Sequence, residues 1–166
     1  GQGIYYLASV ADKIYMEPQG GLAWSGMSTT LMFYKGLFDK LGIEPEIFRP
    51  TVCRYKSAVE PYFLSKMSEE NRRQMQRMVD SAWGVVTDAV AASRGIAPEE
   101  LNRLADRLEV ALPEEALAHG FVDGLVYEDQ MEEVFRSYGV EPDADGEFDF
   151  VTLGEYVAQI PADLKN

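Results

Sequence analysis

The apolar positions of this chain repeat most regularly between Glu69 and Ser93, where Met75, Met78, Val79, Ala82, Val86, Ala89 and Val90 return every three or four residues. That spacing stacks side chains on one face of an α-helix. Ser68 stands where an N-cap oxygen is needed, Glu69 and Glu70 complement the positive end of the helix dipole, and Gly95 follows the last turn. The stripe is read as core packing. A methionine-lined groove for promiscuous peptide binding is the alternative.

Shorter patterns surround this helix. Ile4 to Ala11 suits a helix, Lys13 to Met16 alternates as a short strand, and the Pro18-Gln19-Gly20-Gly21 cluster marks a turn. Leu31, Phe33, Tyr34, Leu37, Phe38 and Leu41 recur at helical spacing and predict a helix from about Thr29 to Leu41, stopped by Gly42 as its C′ residue. Ile43 to Phe48 is expected to be a strand. Pro98 opens a short helix through Leu104, and Pro113 does the same for Glu114 to His119, with Gly120 ending it before a strand at Phe121-Val122-Asp123. Helices and strands in this order make an α/β chain, and they place residue 56 beyond a strand end, where α/β proteins build their sites.

Composition narrows the function. The chain has 166 residues, enough to bury a sizeable core, and 28 acidic against 15 basic side chains give a formal charge of −13. Such a charge disfavours binding to nucleic-acid phosphates or an anionic membrane surface. The longest uncharged run, Pro18 to Tyr34, opens on a proline, is broken by glycines, serines and threonines, and is no membrane span. Cys53 is the only cysteine and His119 the only histidine. No intrachain disulfide can form, and neither a metal site nor a cofactor site is expected. Cys53 is read as a packed small hydrophobe, and His119 as a capping or surface residue beside Gly120.

The chemistry concentrates in Arg54-Tyr55-Lys56-Ser57-Ala58-Val59-Glu60-Pro61. Moving an ammonium group out of water lowers its proton affinity, so a lysine desolvated by Tyr55 and Val59 can serve as a general base. A surface lysine with a snorkelling stem fits the same residues. Ser57 is the neighbouring hydroxyl, but in extended backbone it faces away from Lys56 and is read as satisfying local backbone.

Tyr55-Lys56-Ser57-Ala58-Val59-Glu60-Pro61, followed by Tyr62-Phe63, resembles the lysine motif of the signal peptide peptidase A (protease IV) family, peptidase family S49. The segments from Gly3 to Tyr15 and from Tyr34 to Ile43 are similar to the same family. Ala116 to Leu125 resembles a helix-to-strand ending shared with the wider crotonase and Clp-protease superfamily. The resemblance implies a Clp-protease/crotonase-like spiral of strand-strand-helix units, here as an incomplete domain whose missing strands precede Gly1. It implies a serine endopeptidase with a Ser/Lys dyad that degrades cleaved signal peptides and other hydrophobic peptides. In the family's long form, the lysine of the first half serves the serine of the second, and this chain resembles the first half. Residues 1–138 would be the C-terminal part of that half, and 139–166 a linker and the start of the junction to the next. The implied partners are peptide substrates, the serine-bearing half and further copies in a tetramer-like bowl. The implied location is the periplasmic side of a bacterial inner membrane, with the anchor outside this chain.

Aligned on Ala11-Asp12-Lys13-Ile14, Gln2-Gly3-Ile4 falls where the serine-bearing half carries Ser-Gly-Gly, and no Gly-x-Ser-x-Gly elbow occurs. An amide is no nucleophile, so this chain alone is expected to be inactive, with Lys56 as the base of a dyad completed elsewhere. Cys53-Arg54 departs from the glycine and lysine usual before the tyrosine of the motif. Arg54 keeps a positive charge that would disfavour a protonated Lys56. Two other classes stay open: a non-catalytic structural or assembly module, and a crotonase-like acyl-CoA enzyme. Phe148, Phe150, Val151, Leu153, Tyr156 and Val157, beyond the acidic stretch Glu141 to Glu147, form an apolar patch suited to a junction.

Overall fold

A computed structural model describes residues 1–50, 52–146 and 148–160, and of residue 153 the backbone only. The chain divides into two compact units, Gly1–Leu125 and Val126–Asn166. In the first unit, α1 (Gln2–Ala8) leads to β1 (Tyr15–Met16), α2 (Lys35–Leu41), α3 (Glu60–Phe63), α4 (Glu69–Arg94), α5 (Pro98–Arg107), α6 (Pro113–Ala118) and β2 (Gly124–Leu125). The second unit holds α7 (Met131–Ser137) and α8 (Leu153–Gln159). β1 and β2 pair in parallel, Tyr15 with Gly124 and Met16 with Leu125. The described residues are thus mixed helix with one small parallel sheet.

The long helix matches its sequence signals at both ends. Ser68 Oγ accepts the Asn71 N–H at 3.1 Å, and Gly95 adopts φ +68°, a left-handed cap that glycine enters without a Cβ penalty. The stripe behaves as core over only half its length. Val86 and Val90 are buried, whereas Met78 is 54% exposed and Ala82 is also exposed. Core packing therefore explains the C-terminal half of α4. Its N-terminal half carries the methionines beside open cavities lined by Met27, Met75 and Met78.

Trp24 centres the core and is fully buried. Its ring meets Tyr5 and Phe121 edge-on, at centroid separations of 6.1 and 5.2 Å, and Nε1–H donates to the Leu101 carbonyl at 2.9 Å. Tyr5 donates its hydroxyl to the Phe121 carbonyl at 2.7 Å, and burial pushes its phenol up to about 12. Leu101 and Leu104 of α5, Val110, Ala116 and Val122 complete the packing.

Three expected elements differ. The helix expected from Thr29 begins only at Lys35, because the preceding chain is drawn into long-range bonds: Leu22 and Trp24 N–H go to Ala111 and Val110 carbonyls, and Tyr34 N–H to Pro61 O at 2.7 Å. Ile43 to Phe48 is no strand. Among the described residues it has no neighbouring strand to pair with, Pro45 interrupts it, and Phe48 is 84% exposed. The strand expected at Phe121–Asp123 begins at Gly124, since Phe121 N–H turns back to Ala116 O and Phe121 and Val122 fill the core instead.

In the second unit Phe135, Phe148 and Phe150 cluster at 5.3 to 6.3 Å, with the Arg136 guanidinium 5.6 Å above the Phe148 ring. Phe150, Val151, Tyr156 and Val157 are exposed. The Leu153 side chain and Glu147 lie outside the described residues.

Candidate functional site

The loop between residues 52 and 59 is a succession of tight turns, with Cys53 N–H bonded to Pro50 O, Lys56 N–H to Cys53 O at 3.1 Å, and Ser57 N–H to Tyr55 O at 3.1 Å. Its far end runs into α3. Pro61 sits in the first turn of that helix, where a missing N–H is harmless. Tyr62 stacks with Tyr34 and Phe38 at 6.0 and 6.3 Å, which ties α3 to α2.

Beneath the loop lies a feature that the sequence reading passed over. The Glu60 side chain is entirely excluded from water. One carboxylate oxygen accepts the Ser68 hydroxyl at 2.6 Å, and the other accepts the Ser68 N–H at 3.2 Å and Asn71 Nδ2 at 2.9 Å. Arg49 Nη1 stands 3.7 Å away. Burial pushes the Glu60 carboxyl upward, but the hydrogen bonds from Ser68 and Asn71, with the Arg49 charge, outweigh it and hold the group below its ordinary value. The carboxylate therefore sits ionised in the interior, bonded to the start of α4. The available signal was a single acid among Val59, Pro61, Tyr62 and Phe63, a setting in which a carboxylate is placed for a partner.

Above it, Lys56 is exposed, and among the described residues its ammonium has no hydrogen bond or ion pair. Lys56, Tyr55 and Val59 do line one cavity, of about 420 Å³, together with Phe48, Pro50 and Ser57. Tyr55 is itself 54% exposed. The cavity is therefore an open one, and the described residues leave the lysine head in contact with solvent instead of desolvating it.

The expectation that Ser57 faces away from Lys56 rested on extended backbone, and the turns remove that premise. Both residues line the same cavity, yet no hydrogen bond joins the Ser57 hydroxyl to the lysine. Gln2 is committed elsewhere. Its amide donates to the Gly26 carbonyl and accepts the Ser25 N–H at 3.0 Å, which pins that segment against the start of α1. Cys53 is a half-buried free thiol whose carbonyl accepts the Lys56 N–H, and His119 is the C-cap of α6. No group of His, Cys, Asp and Glu suited to a metal occurs among the described residues. No described helix is long and apolar enough to cross a membrane.

Comparison with known proteins finds the family that the chain resembles. Residues 1–138 match peptidase family S49. The chain is 32% identical over 169 residues to Protease 4 of Salmonella typhi, covering 98% of this chain and 27% of that protein. It is 30% identical over 176 residues to Protease 4 of Haemophilus influenzae, covering 99% and 28%. A putative signal peptide peptidase SppA of Enterococcus faecium is 29% identical over 128 residues, covering 75% and 35%. The chain thus spans about a quarter to a third of the length of these relatives.

Proposed function

The chain belongs to peptidase family S49, and on that premise we propose that it supplies the general-base lysine, Lys56, of a Ser/Lys serine endopeptidase acting on cleaved signal peptides and other hydrophobic peptides. The serine attacks the scissile carbonyl and passes its proton to the neutral Lys56 amine, which returns it to the leaving amine. The nucleophile comes from outside these 166 residues, so the chain alone is inactive.

One observation carries this reading: Lys56 is exposed and unpaired among the described residues, on a loop that Glu60, Arg49, Ser68 and Asn71 hold without it. A lysine that held its loop through its side chain would make bonds within it, which speaks against that form of the structural-module alternative, and the activity of Lys56→Ala separates a base from a solvated surface lysine. An open cavity lined by Tyr55, Val59 and Phe48 accepts a covering surface, and desolvation of the amine belongs to the assembled enzyme. Gln2 supports the division of labour, being a neutral amide used as a brace at the position aligned with the serine.

The wider proposal follows the same premise. Residues 1–138 are the C-terminal part of a protease-like half with a Clp-protease/crotonase-like spiral, and 139–166 lead into the next half through the apolar patch of the second unit. The assembled enzyme is an oligomeric bowl on the periplasmic side of the inner membrane, anchored by a segment outside this chain.

Steady-state cleavage of a hydrophobic peptide ester by the full-length protein tests the reading. Lys56→Ala should abolish turnover with an unchanged melting temperature, and Ser57→Ala should leave turnover within about threefold, since only the base acts on the transition state. Activity retained in Lys56→Ala would overturn the assignment.

A further inference from the structure

The Cys53 carbonyl is the junction on which the position of Lys56 turns. It accepts the backbone N–H of Lys56 at 3.1 Å and Arg49 Nη2 at 3.3 Å, while the same Arg49 nitrogen bonds the Arg54 carbonyl at 2.9 Å. The other arm of the guanidinium faces the buried Glu60 carboxylate at 3.7 Å. One planar fork thus spans the beginning of the lysine loop, through two carbonyls, and its end, through Glu60. Lys56 sits between the two anchor points. Only arginine among the cationic side chains presents several donors in a fixed plane, and its own side chain is only 24% exposed.

We propose that Arg49 is the positioning residue for Lys56, holding the loop through the Cys53 and Arg54 carbonyls so that the amine meets the serine in one orientation. The proposal rests on Lys56 being the base. Glu60 fixes the guanidinium from below through an anion that cannot leave, because Ser68 and Asn71 bind it to the first turn of α4. The chain of contacts runs from the rigid helix to the buried acid, to Arg49, to the carbonyls, and to the backbone of Lys56. Arg49 makes no contact with substrate in this scheme. Its effect is on the fraction of time the amine spends in reacting geometry, which enters kcat and not substrate affinity.

The test compares Arg49→Met, Arg49→Lys and Lys56→Ala in the full-length protein, reading kcat, KM and melting temperature on a hydrophobic peptide ester. Arg49→Met should lower kcat by about a hundredfold while KM changes less than about threefold, the scale of loss expected when a reacting group is displaced by about 1 Å. It should also lower the melting temperature, because Glu60 loses its facing charge. Arg49→Lys restores that charge but not the fork, so its melting temperature should recover while kcat stays low. If kcat recovers together with stability in Arg49→Lys, the arginine is merely structural and the proposal fails. Should Arg49→Met not fold, the lysine variant alone decides. Full activity in Lys56→Ala would remove the base assignment and this proposal with it. An inactive Lys56→Ala beside a normal kcat in both Arg49 variants would remove the positioning role alone.

Discussion

Two carboxylates in the first unit, Asp123 and Glu60, hold distant parts of the chain together, and they do so by different means. Asp123 joins β1, β2 and the end of α4: it accepts the Ile14 N–H at 3.0 Å and pairs with Lys13 at 3.0 Å and Arg94 at 2.9 Å. Its side chain is 19% exposed, and two cations face it at contact distance. Glu60 is fully buried, takes its short bonds from neutral donors, and faces the Arg49 cation at 3.7 Å. Asp123 is the more tolerant, since it keeps a second cation when one is lost and one of the two, Lys13, is half-exposed, where water and salt replace it. An anion compensated by neutral dipoles in the interior is less so, because every donor removed leaves part of a charge unsolvated. The tolerant node sits under the framework, and the intolerant one sits under the loop that carries Lys56.

That contrast breaks most sharply at Asn71. Asn71→Asp removes the Nδ2 donor and sets a second carboxylate beside Glu60, and it should destabilise the protein by about 3–5 kcal/mol at neutral pH in urea denaturation. Repulsion raises one carboxyl of the pair, so the folded variant binds more protons than its unfolded chain, and stability is regained as pH falls. A loss that did not shrink with acid would speak against two facing carboxylates. Glu60→Gln comes next. It removes the charge and replaces one of the two accepting oxygens by an NH2, which at the Oε1 position faces the Ser68 hydroxyl and Arg49, and it should destabilise by about 2–3 kcal/mol, with little dependence on salt.

Asp123→Asn should be milder, about 1–2 kcal/mol, and its effect should carry a pH signature. Burial raises the Asp123 carboxyl, but the Ile14 N–H, Lys13 and Arg94 bring it down to about 2 from its ordinary 3.8. Between those values the unfolded chain binds more protons, so this contribution is complete above 3.8 and is lost as pH falls through 2. Acid unfolding of the asparagine variant should be flatter across that window. Smallest is Lys13→Met at the half-exposed rim of the same cluster, at about 0.5 kcal/mol and vanishing in high salt. A salt-insensitive effect there would erase the distinction between the two carboxylates.

The elements that were legible in the sequence are those whose causes are local. Ser68, the two glutamates after it, and Gly95 fix both ends of α4 within a few residues, and Pro98 and Pro113 do the same for the starts of α5 and α6. Thr29 to Tyr34 misled because its helical periodicity competes with bonds to Pro61 and with a chain already paired to residues 110 and 111. Ile43 to Phe48 misled because a strand is a property of two segments, and no partner strand occurs among the described residues. The motif singled out the loop of Lys56, but not the exposure of that side chain. Glu60 and Arg49 were not legible, because their meaning lies in bonds to residues up to eleven positions away, on a helix whose approach no short pattern encodes.

The proposed role of Lys56 as a base is tested most directly by Lys56→Arg, which keeps the charge and removes the ability to take a proton at working pH. In the full-length protein, kcat on a hydrophobic peptide ester should fall by about 10²–10⁴-fold with an unchanged melting temperature. A kcat within about threefold of the unmodified enzyme would show that only the positive charge at position 56 is needed, and would contradict general-base catalysis by this lysine.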